Sequence, residues 1–309
     1  GRLLGYVYPG CQLSACNPPR AGSLNADVML TTLVDTETLS RHLDDPRWVV
    51  VDCRFVLTDP EAGRRAYAAG HIPGARYVHL NEDLSSPITP GSGRHPLPFP
   101  NTLAEKLGRW GIDKNSQVVV YDDSFGAMAA RLWGLLRWLG HEAIAVLDAG
   151  YPKWMREKRP VTTELPKIQL TQFHPTVNNS MWVDADHVME MTRAQNGLLL
   201  DARAEERFRG EVEPLDMVAG HIPGANNLPY EDNLDFTSEF MSDEALREHY
   251  QSVLGKVPPG KVVHMCGSGV TACHSILAME HAGLSGAKLY AGSWSEWIAD
   301  PKRPVAKGE

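Results

Sequence analysis

The sequence predicts an α/β protein made of two tandem domains, each a mostly parallel sheet with helices on both faces. Three observations carry this reading. The chain has 309 residues, more than one hydrophobic core usually serves. Short β-branched runs alternate with stretches of helical period. The whole alternation then returns, with its motifs, in the second half.

In the first half, Leu39 and Leu43 follow polar capping residues at helical spacing, and Trp48-Val49-Val50-Val51-Asp52 reads as a buried strand. A helix from Arg64 to Ala69 leads into Gly70-His71-Ile72-Pro73-Gly74-Ala75 and a strand over 76–80. A connection over 81–101 holds five prolines and Gly93-Arg94-His95-Pro96-Leu97-Pro98; connections this long are uncommon and often functional. Helix 102–110, strand 118–121, helix 126–139 and strand 143–147 complete the pattern, with a short helix after Ala149-Gly150.

The order then repeats. Asp52-Cys53-Arg54 is echoed by Asp201-Ala202-Arg203, and the hexapeptide at 70–75 returns letter for letter at 220–225. Leu147-Asp148-Ala149-Gly150 is matched by Leu289-Tyr290-Ala291-Gly292. Two such copies are too few and too long for a solenoid, so each is expected to be a domain. The expected boundaries are a tail at 1–30, a first domain at 31–161, a polar linker at 162–180 and a second domain at 181–309.

Composition limits function. A net charge of −8 argues against nucleic acid as a partner, and no apolar run is long enough to point to a membrane. Five cysteines, at 11, 16, 53, 266 and 273, form no metal-type spacing and suggest a reducing compartment, hence the cytoplasm.

The chemistry concentrates at Cys266-Gly267-Ser268-Gly269-Val270-Thr271-Ala272, between an expected strand ending at Met265 and a helix around 275–280. Two glycines let backbone N–H groups curl inward, and the helix adds the positive end of its dipole. Such a loop favours an anionic sulfur. Aligning the halves places Asp122 opposite Cys266; a carboxylate cannot take up sulfur, so the first half is expected to support rather than react.

The Cys266 loop, the paired Gly-His-Ile-Pro-Gly-Ala hexapeptides and Gly292-Ser293-Trp294-Ser295-Glu296-Trp297 together resemble the tandem rhodanese-domain sulfurtransferases. The loop is most similar to that of 3-mercaptopyruvate sulfurtransferases. The resemblance implies two rhodanese-like domains and no metal or organic cofactor. It implies covalent transfer, in which Cys266 takes sulfur from a small-molecule donor as a persulfide and hands it to a thiol, cyanide or thioredoxin-like acceptor.

It also implies roles. Ser268 and His95 would belong to a Ser-His-acid relay, with Asp83 or Glu82 as the acid, although Asn81 occupies one plausible alignment. Arg207 would hold the donor's anionic end, while Gly267, Gly269, Val270 and Thr271 would surround it. His71 and His221, present in both halves, are expected to be structural, as are Trp294 and Trp297.

Two clues point to different donors. The second arginine usual in the mercaptopyruvate enzymes is missing, since Glu213-Pro214 is followed by Leu215, with Arg209 the nearest candidate to replace it. The loop, however, lacks the basic residues of thiosulfate rhodaneses, and being nearest the sulfur it is the stronger clue. A related cysteine phosphatase would need an arginine in the loop, and none is present. A non-catalytic binding module is the other reading, disfavoured by Cys266 itself.

Overall fold

The computed structural model describes residues 28–309, so Cys11 and Cys16 lie outside the described residues. The first half runs β1 (Leu33–Val34), α1 (Thr36–Arg41), β2 (Trp48–Asp52), α2 (Ala62–Ala69), β3 (Arg76–Tyr77), α3 (Pro100–Arg109), β4 (Gln117–Tyr121), α4 (Ala129–Trp138), β5 (Ile144–Leu147) and α5 (Gly150–Arg156). The second runs β6 (Trp182–Val183), α6 (Ala185–Ala194), β7 (Leu198–Asp201), α7 (Glu205–Arg209), β8 (Asn226–Asn227), α8 (Asp243–Leu254), β9 (Val262–Met265), α9 (Ala272–His281), β10 (Lys288–Tyr290) and α10 (Ser293–Trp297).

Each half folds around a five-stranded sheet. The orders are β1-β5-β4-β2-β3 and β6-β10-β9-β7-β8, the same arrangement used twice. Every ladder is parallel. Central strands β2, β4 and β9 are buried along their whole length, which fits near-continuous Val-rich runs covered on both faces.

Differences from the sequence expectation have local causes. The strand expected over 76–80 stops at Tyr77, because the His79 N–H turns to the Asp83 carboxylate at 2.8 Å and the chain bends back. The helix expected from Gly126 starts at Ala129, because the Asp122 side chain holds the N–H groups of Ser124, Gly126, Met128 and Ala129 in a cap. Leu30, expected in the tail, is tied to the first sheet by two hydrogen bonds with the Gln117 amide.

The halves share a core. One apolar cluster runs from Leu132 and Leu136 of α4 through Cys273, Ile276 and Leu277 of α9. Gly134 allows the close approach, since a Cβ there would meet the Cys273 sulfur at 3.3 Å. Each of these helices follows the loop that holds Asp122 or Cys266, so packing α4 on α9 brings both loops to the contact between the halves. There His274 of α9 reaches the Phe125 carbonyl of the Asp122 loop at 3.0 Å.

Candidate active site

Cys266 sits immediately beyond β9, 2% exposed. Its backbone is fixed from the opposite loop: its N–H donates to Ser293 Oγ at 3.1 Å and its carbonyl accepts from the Trp294 N–H at 3.0 Å. The Gly269 N–H donates to Cys266 Sγ at 3.2 Å. Gly269 has φ +79°, and a Cβ there would lie 2.3 Å from the Ala291 carbonyl oxygen, so only glycine lets this N–H meet the sulfur. Val270 is buried and Thr271 precedes α9, their backbone carbonyls accepting from Cys273 and His274 in the first turn.

Ser268 Oγ lies 2.7 Å from His95 Nδ1, across 173 residues of sequence. The other ring nitrogen, Nε2, faces Asn81 Oδ1 at 3.0 Å. With the amide oxygen as acceptor, Nε2 carries the ring proton and Nδ1 accepts from the serine hydroxyl. Burial, reinforced by the nearby Arg131 and Arg94, lowers the His95 pKa from 6.5 to about 3. The ring is therefore neutral at physiological pH.

Asp83 is a correction. Its carboxylate binds the His79 N–H and the Lys106 ammonium, at 2.8 Å each, and does not meet His95. Glu82 pairs with Arg64. Asn81 holds the position expected for an acid, and an amide orients the imidazole without supplying a negative charge.

Arg207 lies beside the loop, bound to Glu213 Oε1 at 2.9 Å and Asp216 Oδ2 at 3.3 Å. Arg209 turns to Glu205 and Glu309 instead. A second guanidinium does reach the site, from the first half: Arg94 Nε is 3.0 Å from Asp216 Oδ1. A Cβ on Gly267 would come within 2.7 Å of Arg94 Nη2 and 3.5 Å of Arg207 Nη2, so both cations flank the residue after the cysteine. The Arg94 N–H donates to Ser295 Oγ at 3.0 Å, and Gly93 leaves no room for a side chain against the Gly292 carbonyl.

Arg131 of α4 is fully buried. Its guanidinium donates to the carbonyls of Leu84 (3.0 Å), His95 (2.9 Å) and Pro96 (3.3 Å) on one side and of Gly269 (3.0 Å) on the other. One side chain thus joins the His95 connection to the cysteine loop.

His71 stacks on Tyr67 and His221 on Phe208, and both rings also bond backbone carbonyls. Trp294 and Trp297 are fully buried, their indole N–H groups on the Val218 and Pro304 carbonyls. Sequence reasoning did not assign roles to Arg94, Arg131, Asp216, Ser293 or Ser295. Arg131 left one trace, a lone charge in the apolar run Ala129-Ala130-Arg131-Leu132-Trp133.

The family model described as rhodanese-like domain matches twice, at residues 35–157 and 184–300. The chain belongs to the rhodanese family, and it is a sulfurtransferase. It is 46% identical over 280 residues to a probable 3-mercaptopyruvate sulfurtransferase of Pseudomonas aeruginosa, covering 90% of this chain and 98% of that protein. It is 40% identical to a putative thiosulfate sulfurtransferase, SseB, of Mycobacterium tuberculosis, covering 84% and 90%. Among solved structures, the 3-mercaptopyruvate sulfurtransferase SseA of Escherichia coli superposes with a TM-score of 0.73 at 30% identity, covering 86% of this chain and 100% of that one.

Proposed function

We propose that the chain moves a sulfane sulfur from 3-mercaptopyruvate to a thiol or cyanide acceptor through a persulfide on Cys266. The observation that carries this reading is the contact of Ser268 with His95 in the same loop as a buried cysteine whose sulfur accepts a backbone N–H. The Cys266 thiolate attacks the donor sulfur, the carbon–sulfur bond breaks, and its electron pair passes to the pyruvate fragment as an enolate. The enolate carbon takes up a proton as the outer sulfur gives up the one that the donor thiol carried, leaving pyruvate and Cys266–S–S⁻. A cyanide or thiolate acceptor then attacks the outer sulfur and Cys266 leaves as thiolate.

Ser268 donates its hydroxyl proton to His95 Nδ1, which fixes the serine oxygen beside Cys266 until the donor carbonyl competes for that proton. Because Asn81 lends no charge and burial keeps the ring neutral, this pair steers and shuttles a proton rather than storing an ion pair. Arg207 and Arg94 receive the carboxylate, the second cation coming from the first half in place of the absent arginine after Pro214. A thioredoxin-like protein thiol in the cytoplasm suits the acceptor step, in keeping with free thiols at Cys53, Cys266 and Cys273.

Thiosulfate is the second donor to weigh, because two arginines would also hold a sulfonate-like end. Steady-state kcat/KM with both donors, cyanide as acceptor and Cys266→Ser as the blank, tests the assignment. A large preference for mercaptopyruvate is expected; a preference for thiosulfate overturns the donor.

A further inference from the structure

Around the donor-facing guanidinium groups the structure places as many acids as bases. Arg207 meets Glu213 and Asp216, and Arg94 meets Asp216 through Nε at 3.0 Å and Nη2 at 3.3 Å. Behind them Arg203 pairs with Asp201 at 2.7 Å and lies 3.6 Å from Glu213. Three guanidinium groups are thus matched by three carboxylates. The side chains of Glu213 and Asp216 are only 4% exposed, so water screens them little. Glu213 is further fixed by the N–H groups of Leu215 and Asp216, both at 3.0 Å.

One cation near the loop has no carboxylate partner among the described residues: Arg131, which is held on backbone carbonyls and acts on Cys266 and Cys273 rather than pairing with Glu213 or Asp216. His95 is neutral, Cys273 is a buried thiol on α9, and Arg131 lies behind the loop on the Gly269 carbonyl. Arg94, Arg203 and Arg207 thus offer directed N–H donors with almost no net positive charge among themselves and their three acids. Such a site suits an anion bearing one charge, because a second charge would be desolvated without a partner.

We infer that Asp216 and Glu213 are specificity-determining residues, which neutralise Arg94 and Arg207 so that the site selects singly charged sulfur donors over doubly charged ones. The inference rests on the reading of Cys266 as the sulfur acceptor and extends it by naming what discriminates between donors. 3-Mercaptopyruvate carries one negative charge at neutral pH and thiosulfate two. An arginine pair without its acids would favour the dianion; with them, it favours the carboxylate.

The test is the ratio of kcat/KM for thiosulfate to that for 3-mercaptopyruvate, measured at constant ionic strength in the parent, Asp216→Asn and Glu213→Gln. Asp216→Asn keeps the shape of the side chain and removes its charge, and the ratio is expected to rise about tenfold or more. Glu213→Gln should move it in the same direction. A ratio that stays level or falls in a variant with the parent's circular dichroism and melting temperature overturns the inference. Should both variants misfold, the parent alone decides: acetate is expected to inhibit mercaptopyruvate turnover at lower concentration than sulfate, and stronger inhibition by sulfate overturns the inference. Failure of the underlying reading looks different. It would show as transfer surviving Cys266→Ser, whereas a parent that prefers thiosulfate overturns the donor and the inference together.

Discussion

The loops around Asp122 and Cys266 occupy equivalent places in the two halves, each after a central strand and before the helix that packs across the interface. In the first, the Asp122 carboxylate accepts four backbone N–H groups at 2.7–2.9 Å, so the anion that fills the cradle is part of the chain. In the second, the group at that place is a sulfur that accepts one N–H, from Gly269. The same backbone device caps a helix in one half and holds the Cys266 sulfur in the other. What separates the two loops here is the group that fills the cradle, a carboxylate in one and a sulfur in the other.

The largest effect should come from exchanging those two residues. Cys266→Ser is expected to lower sulfur transfer by on the order of 10³-fold or more, and adding Asp122→Cys to that variant should restore none of it. Turnover in the double variant, assayed with either donor, would show that the first loop needs only a thiol.

Next come the partners that only the second loop has. Ser268→Ala and His95→Asn are each expected to lower kcat by about 10²-fold. Because the His95 pKa is depressed to about 3, the parent's kcat should show no break from this ring between pH 5 and pH 8. An inflexion near 6.5 that vanishes in His95→Asn would refute the neutral ring.

The first loop should answer in stability instead. Asp122→Ala strands buried N–H donors and is expected to cost about 2–3 kcal/mol, read as a lower urea midpoint with the KM for donor unchanged. Acid should act on three buried rings, His95 and His274 at the contact between the halves and His264 within the second. Burial holds His95 and His264 at about 3 and His274 at about 4, so the folded chain refuses protons that the unfolded chain accepts from 6.5 downward. These rings favour folding above pH 6.5, and their contribution is lost as pH falls toward 4, each by up to about 1.4 kcal/mol per pH unit. Thermal melts at pH 7, 6 and 5 should therefore fall in that order.

The smallest effect is expected at Cys273. Its thiol is pushed up to about 12, chiefly by burial, and its sulfur lies 3.6 Å from the Gly269 carbonyl, a contact serine can keep. Cys273→Ser should retain transfer within about twofold; a folded but inactive variant would assign this thiol a part in the chemistry.

Much of this comparison was legible in the sequence. The twin hexapeptides and the Val-rich runs announced two equivalent sheets, since period and turn chemistry are local properties. Cys266 was legible for the same reason, as glycine spacing and the following helix are read within a dozen residues. The surroundings were not. Arg94 meets Asp216 across 122 residues, and Arg131 meets Gly269 across 138, separations that no local pattern encodes. The resemblance implies Asp83 or Glu82 as the acid, yet the bend at His79 spends Asp83 on the His79 N–H and on Lys106, Glu82 pairs with Arg64, and the Asn81 amide is left beside the imidazole.

Arg131 carries a consequence for the chain's modularity. Its guanidinium is spent on carbonyls of both halves, and no carboxylate pairs with it among the described residues. A fragment holding only the second half would keep the cysteine but surrender the imidazole, one of the two cations over Gly267, and the clasp on the Gly269 carbonyl. The repeat therefore no longer divides where its sequence does: the half without the loop cysteine supplies the side chains against which the cysteine loop rests.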